Sequence, residues 1–442
     1  MTDSAQSSLA ETRAAAQPDL KTPDLKTKVA KRLKSRHAAE LRFRAYGILA
    51  VSVAVLFLGI LLERIIHQGY TAFVTHSITT EVYLDPNRID PTDIMGANYD
   101  QMITEQVMAK MGVSDDEYGT TSGEYKEILS PDLGFKALEA LRDNPKLLGQ
   151  KISLTSPIAA NADLYYKGEI TRDVVEADRN VSDQQMVWMD ALKSKGLVTS
   201  HFNTYLFTNT DSTQPELAGL LGAIMGSAMM LLVTAVLAIP IGVGAALFLE
   251  EFAPKNRWTA LIEVNINNLA AVPSIVYGLL GLAVFINWLG MPRSSPLVGG
   301  VVLALMALPT VIIATRSSLR AVPPSIREAA LGIGASKTQA VFHHVLPLAM
   351  PGIMTGTIIS LAHALGETAP LLMIGMISFV PGLPESVTSA ASVLPVQIFI
   401  WENASERAFH ERTAAAIIVL LVFMIIMNLA AILLRRRFER RW

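Results

Sequence analysis

The segment Leu361-Ala-His-Ala-Leu-Gly-Glu-Thr-Ala-Pro-Leu-Leu372 places two ionisable groups, His363 and Glu367, in a run from Val345 to Pro384 that holds no others. An ionised carboxylate in a bilayer costs about 2.5–3.5 kcal/mol on insertion scales, so such a group lines a polar path or has a partner. His363, four residues earlier on one helical face, supplies a partner. Gly366 and Pro370 flank Glu367, and an irregular backbone at that point turns free peptide groups towards a cavity. His363, Gly366, Glu367 and Thr368 are therefore the candidate lining of a path for a polar solute. A gate or a packing role for Glu367 is the other reading of the same residues.

A second constellation lies upstream, in Pro323-Pro-Ser-Ile-Arg-Glu-Ala-Ala-Leu-Gly-Ile-Gly-Ala-Ser-Lys-Thr-Gln-Ala-Val-Phe-His-His-Val-Leu-Pro347. Ser325 and Glu328 have the spacing of a capping box and predict a helix start. Ala329 and Ala330 give that helix a small, close-packing face, and Gly332 and Gly334 end it, since glycine accepts the left-handed conformation. Ser336 to Gln339 is a second capping-box pattern, predicting a short helix from Lys337 towards Val345. A helix-turn-helix exposed beneath a membrane domain suits docking onto another protein. Gly334-Ala-Ser-Lys-Thr338 lacks the Gly-Lys pair and the preceding strand of a phosphate-binding loop. The chain is therefore not expected to hydrolyse ATP by itself.

Charge-free runs supply the elements that position both constellations. They are Ala45–Leu62, Leu217–Leu249, Val264–Pro292, Ser294–Thr315 and Thr413–Leu434, and with Val345–Pro384, whose only ionisable groups are His363 and Glu367, they make six expected spans. Each has at least about the length that a bilayer core requires of a helix. Pro240, Pro273 and the turn Gly290-Met-Pro292 mark kinks or ends within them. Of 442 residues, 51% are hydrophobic and 17% charged, below the share of about 25% usual in soluble domains. Lys and Arg favour the cytoplasmic side of a membrane. Six spans place the basic N-terminal arm, the loops holding Lys255, Arg257, Arg316, Arg320, Arg327 and Lys337, and the tail Arg435–Trp442 on that side.

The resulting organisation is a basic cytoplasmic arm at 1–44, a first span at 45–62, an extracytoplasmic block at 63–216, a core of five spans at 217–434 that carries the loop 316–347, and a basic tail at 435–442. The arm contains the duplicated pentapeptide Pro18–Thr22 and Pro23–Thr27, typical of a linker. Its cations lack an aromatic platform, so they are read as a topology determinant and not as a nucleic-acid site. A long polar arm before the first apolar run leads to the expectation of a retained span instead of a cleaved signal. The block 63–216 is expected to be a small mixed α/β domain, with helices over Gln101–Met111 and Leu133–Arg142, a capped helix after Ser182, and strands at Glu81–Leu84 and Lys151–Leu154. The fold class is thus an all-α membrane protein with a mixed α/β insertion between spans 1 and 2. No cysteine is present, which removes thiolate metal sites and cysteine nucleophiles, and no metal site is expected.

Glu328-Ala329-Ala330, Gly334 and Leu346-Pro347 match the Glu-Ala-Ala, glycine and Leu-Pro positions of a motif carried by ABC importer permeases, with His344 where that motif has Ile. Pro240-Ile-Gly-Val-Gly-Ala-Ala-Leu-Phe-Leu-Glu-Glu251, Ala271-Val-Pro-Ser-Ile-Val-Tyr-Gly278 and Gly366-Glu-Thr-Ala-Pro370 narrow the likeness. Over about residues 217–434 the chain resembles the PstA family of phosphate ABC importer permeases, and the Thr-Ala-Pro ending favours it over the sister PstC family. The resemblance implies a six-helix, type I-like importer permease in the bacterial inner membrane with both termini cytoplasmic. It implies that Glu328, Ala329, Ala330, Gly334, Leu346 and Pro347 dock an ATPase. It also implies a PstC-like permease, two ATPase subunits that bind ATP and Mg, an extracytoplasmic phosphate-binding protein and membrane lipid as partners, with no cofactor in this chain. The block 63–216 departs from the shortest members of the family.

Chemistry is consistent with phosphate as the solute. Monohydrogen phosphate keeps a proton that it can donate to a carboxylate such as Glu367, whereas sulfate at neutral pH cannot, provided that cations or helix N-termini offset the charge. Three other readings remain. An importer of the same architecture for sulfate or molybdate would share the docking loop. A sensor would read a ligand through 63–216, yet only a short basic tail follows the last span. An ion-coupled transporter would leave the docking loop without a use.

Overall fold

The computed structural model describes residues 23–116 and 119–438, in a unit that ends at Arg64 and one that begins at Ile65. Helix α1 runs over Pro23–Gly69. The linker reading of the arm is therefore corrected from Pro23 onward. Proline is tolerated in the first turn of a helix, and no Gly or Pro interrupts the chain between Leu25 and Tyr46. The first pentapeptide and residues 439–442 of the basic tail lie outside the described residues.

The second unit opens with the block expected to be mixed α/β. Strand β1 (Val74–Tyr83) is followed by helices α2 (Tyr99–Met111) and α3 (Asp132–Asp143), strand β2 (Lys151–Pro157), helices α4 (Ala160–Lys167) and α5 (Asp183–Ser194), and strand β3 (Val198–Phe202). The strands form an antiparallel sheet in the order β2-β1-β3, and β3 had no sequence forecast. Ile78 and Val82 of β1 face the core, as the period of two in a strand requires, and Leu133, Ala137 and Leu141 form the buried stripe of α3. Ser182 and Gln185 close the expected capping box at the head of α5. Entry and exit of the block are stitched together: Val74 pairs with Phe202, and the Asn203 N–H donates to the Phe73 carbonyl at 2.8 Å.

Charged side chains tie this block to the last span. Lys167 reaches Asp163 at 2.7 Å and Glu411 at 2.9 Å, and the His76 ring nitrogen lies 2.8 Å from Asp163. Ser130 donates to Glu216 at 2.8 Å. Burial alone would raise the Asp163 carboxyl, but hydrogen bonds from His76 and the charge of Lys167 outweigh it and hold it below the usual range. Burial pushes Glu216 up, and the Ser130 hydroxyl offsets only part of that.

The main helices after the block are α6 (Leu221–Leu247), α7 (Arg257–Ala270), α8 (Ser274–Leu280), α9 (Pro296–Arg320), α10 (Pro324–Gly332), α11 (Lys337–Ala340), α12 (Leu346–Leu365), α13 (Ala369–Met373), α14 (Leu394–Glu402) and α15 (Ala408–Phe438). Among the described residues, Arg36–Phe73, Leu221–Phe252, Pro296–Arg320, Lys337–Leu365 and Ala408–Arg437 are each long and apolar enough to cross a bilayer. The sixth expected span is a broken pair, Arg257–Ala270 and Ser274–Trp288, bent by 102° at Pro273. Glu263 of α7 bonds Arg316 near the C-terminal end of α9, while Gly281, just after α8, lies against Val302 near its N-terminal end. Pro240 lies inside α6 and does not end it. α9 carries Arg316 and Arg320 as its final turns, so the loop that follows it begins later than the charges suggested.

Small residues set the helix spacing, as in membrane proteins generally. Gly352 of α12 lies against Ser318 of α9 and Gly356 against Ala314, leaving no room for a Cβ at either glycine. One turn further, Ser360 donates to the Ala307 carbonyl at 3.3 Å, near the middle of α9. These contacts fix the height of His363 and Glu367, which follow within two turns.

Candidate functional site

α12 stops at Leu365 because Pro370 has no N–H to offer the Gly366 carbonyl, and its ring would collide with that group in a continued helix. The last turn tightens instead, with Gly366 N–H donating to His363 and Glu367 N–H to Ala364. Glu367 thus sits in a break between α12 and α13, with Thr368 at the head of α13. His363 Nε2 lies 3.2 Å from Glu367 Oε1, so the partner read from the spacing is in place. The Glu367 side chain is 20% exposed and that of His363 71%. Polar groups open at this height avoid lipid only by facing another protein surface or a water-filled path.

The break is braced from outside α12. A Cβ on Gly278 would come within 2.6 Å of the Pro370 Cα, so only glycine lets α8 lie against α13. Two of the segments that carry the family likeness, Ala271–Gly278 and Gly366–Pro370, are therefore in contact. The Tyr277 hydroxyl donates to the Leu269 carbonyl across the Pro273 bend at 2.8 Å.

Beneath the spans, α10 and α11 form the expected helix-turn-helix. The capping box at Ser325 and Glu328 is a correction: Pro323 is the N-cap, Pro324 is the first helical residue, and no side chain caps the helix. Proline at the first position needs no donor, so the serine is free to point outward. At the other end Ala335 N–H donates to Ala330 and Gly334 N–H to Leu331, with Gly334 at φ 92°. This is a Schellman closure, and it requires glycine or a strained residue at 334. Ser336 and Gln339 form the second capping box as expected. Ala330 is buried, whereas Glu328 and Ala329 are exposed. Leu346 and Pro347 open α12. His344 is exposed, so its departure from Ile is accommodated at the surface and does not disturb packing against the fifth span.

Sequence reasoning missed two features of this loop. Ile333 at the tip is 84% exposed and Leu331 beside it 49%, an apolar pair held out next to Glu328 and Ala329. Arg327 and two carboxylates at the end of the α6 span, Glu250 and Glu251, form the other: Glu251 bonds Arg327, while Glu250 bonds Arg316 at 3.3 Å and Arg320 at 2.8 Å. The signal was available, since Glu250-Glu251 closes one of the segments that carry the family likeness.

Comparison with known proteins matches residues 238–442 to the family described as binding-protein-dependent transport system inner membrane component, and residues 30–176 to a domain of unknown function, DUF3333. The probable ABC transporter permease protein YqgI of Bacillus subtilis (strain 168) is 33% identical over 39% of this chain, which spans 58% of YqgI. The phosphate transport system permease protein PstA 1 of Mycobacterium tuberculosis (strain ATCC 25618 / H37Rv) is 34% identical over 49% of this chain and 70% of that protein. Among solved structures, an inward-facing conformation of the MetNI methionine ABC transporter aligns with TM-score 0.42 and 18% identity, covering 50% of this chain and 96% of that one.

Proposed function

The chain belongs to the family of binding-protein-dependent transport system inner membrane components, and from that premise we propose that it is the permease subunit of an ATP-driven inorganic phosphate importer. The observation that carries this reading is Glu367, paired with His363 in a break of a membrane-spanning helix. The printed function of the PstA 1 relative supports phosphate as the solute.

In this reading a homologous, PstC-like permease covers the open side of His363 and Glu367, and the path runs between the two subunits. Two ATPase subunits bind ATP and Mg, and each permease loop docks one of them through the equivalents of Glu328, Ala329, Leu331 and Ile333. An extracytoplasmic phosphate-binding protein delivers the solute. Both termini are cytoplasmic, and the chain itself catalyses no hydrolysis. ATP-driven closure of the ATPases moves α10 and α11, and the span ends move with them.

The test is uptake of labelled phosphate by the assembled complex in a strain lacking other phosphate importers, with sulfate, molybdate and arsenate as competitors. Arsenate carries a proton as phosphate does and should compete, and sulfate and molybdate should not. Sulfate or molybdate uptake that phosphate fails to inhibit would assign the permease to another oxyanion.

A further inference from the structure

Where α1 ends and α15 begins, beside the end of α4, the structure forms an open cavity of about 670 Å³. Its walls change character with depth. On the α15 side Arg407 stands just before the helix, and Ile417 lies more than two turns further in. On the α1 side the apolar Ile65 is followed by His67, Gln68 and Thr71. α14 repeats the gradient, since its start is anchored deep, by the Leu394 N–H on Ser227 of α6, and its wall runs from Ile398 to Glu402. Three independent elements thus present an apolar inner half and a polar outer half. That is the polarity profile of a bilayer interface.

The walls are held by direct backbone contact. Gly69 of α1 lies so close to Ala414 of α15 that a Cβ would come within 2.9 Å of its carbonyl carbon. The volume falls in the range of about 300–1,000 Å³ typical of ligand sites. Charge of both signs faces it: Arg407 and Glu169 form no ion pair among the described residues, and Glu402 has only His410, at 3.7 Å. A lone anion would meet the carboxylates and leave the apolar half unfilled. A wholly apolar occupant would bury the charges without partners.

We propose that this cavity binds a zwitterionic phospholipid of the outer leaflet, with the phosphate against Arg407, the amine against Glu169 and Glu402, and the upper acyl chain along Ile65, Ile398 and Ile417. This site is separate from the break at Glu367 and does not depend on the nature of the transported solute. A lipid seated there packs between the extracytoplasmic block and the spans.

The full chain, purified in mild detergent, is equilibrated with equal amounts of dioleoyl phosphatidylethanolamine and dioleoyl phosphatidylglycerol, and retained lipid is read by native mass spectrometry. One phosphatidylethanolamine should survive collisional activation and exceed phosphatidylglycerol. Arg407→Gln should lower its retention roughly tenfold, the scale of one lost charged hydrogen bond. Glu169→Gln with Glu402→Gln should abolish the preference between the two lipids while keeping a bound lipid. Melting temperature serves as the control for folding. Adducts that follow the mixture's composition, or retention unchanged in Arg407→Gln, would overturn the site.

Discussion

Arg327 and Glu251 form a forked ion pair, with Nη2 2.6 Å and Nε 3.1 Å from the same carboxylate oxygen. The same guanidinium donates to the carbonyls of Leu319 at 2.9 Å and Val322 at 2.8 Å. One side chain of α10 therefore grips the end of the α6 span and the end of α9 together. Any displacement of α10 is therefore shared by two spans.

Arg327→Lys keeps the charge but loses the fork and at least one carbonyl contact, because an ammonium is a point donor. The expected loss of stability is about 1–3 kcal/mol, read as a lower melting temperature in detergent. Phosphate uptake should fall more than ATPase binding, since the proposed docking residues Glu328, Ala329, Leu331 and Ile333 are untouched. A variant with normal uptake would remove Arg327 from the coupling route.

Gly334→Val places a β-branched residue at φ 92°, a conformation that costs roughly 1–2 kcal/mol for an L-residue. The turn between α10 and α11 should deform, with membrane insertion preserved and ATPase co-purification reduced. Ile333→Asp tests the tip without backbone strain. Being 84% exposed, Ile333 should matter little to stability, so lost ATPase binding in that variant would report docking alone.

Glu367→Gln keeps shape and removes charge. If the carboxylate accepts the proton of monohydrogen phosphate, uptake should drop and sulfate exclusion should weaken. Near-normal transport with unchanged selectivity would reduce Glu367 to a packing role and take it, with His363, out of the path.

Orientation is open to single cysteines, because the chain has none of its own. Lys146→Cys, exposed in the block after α3, should react with an impermeant thiol reagent in intact cells. Lys337→Cys should react only after lysis. The opposite pattern would invert the six-span topology.

Acid should loosen the anchor between block and spans. Asp163 has a depressed folded value, so its contribution is fully present above the ordinary aspartate value of about 3.9 and is lost as pH falls through the depressed one. Glu216 has a raised value and runs the other way: its neutral form suits the fold, and stability declines as pH rises from about 4.3 towards that raised value. Melting temperature against pH should therefore fall less steeply on the acid side in Asp163→Asn. Glu216→Gln should lose the decline above about pH 4.3. Curves identical to the parent's would exclude both groups.

Spans and caps were legible because their signals are local. A charge-free run of bilayer length declares itself, and Ser182 with Gln185, or Ser336 with Gln339, needs no distant partner to form its box. Ser325 misled because the two prolines before it claim the helix start. The 102° bend at Pro273 was readable only as a mark, since its angle depends on Gly278 meeting Pro370. Lys167 and Glu411, 244 residues apart, meet through the tertiary fold, and no periodicity announces such a pair. The same holds for Ile333, an ordinary apolar residue until the turn at Gly334 turns it outward.

The stitch between Phe73 and Asn203 has a consequence for how such a chain is assembled from parts. A block whose first and last residues are hydrogen-bond neighbours is added to its host as one would add a branch, without spreading the host apart. The host feels only a closed junction, and the loop-closure entropy of everything beyond it grows slowly with length. A version of the chain in which a short turn joins Phe73 directly to Asn203 would keep that junction closed. It would give up the Lys167 clasp on Glu411 and one wall of the cavity beside Arg407. The helical core is in this sense a chassis, and the α/β block is cargo secured at one closed junction and at the head of α15.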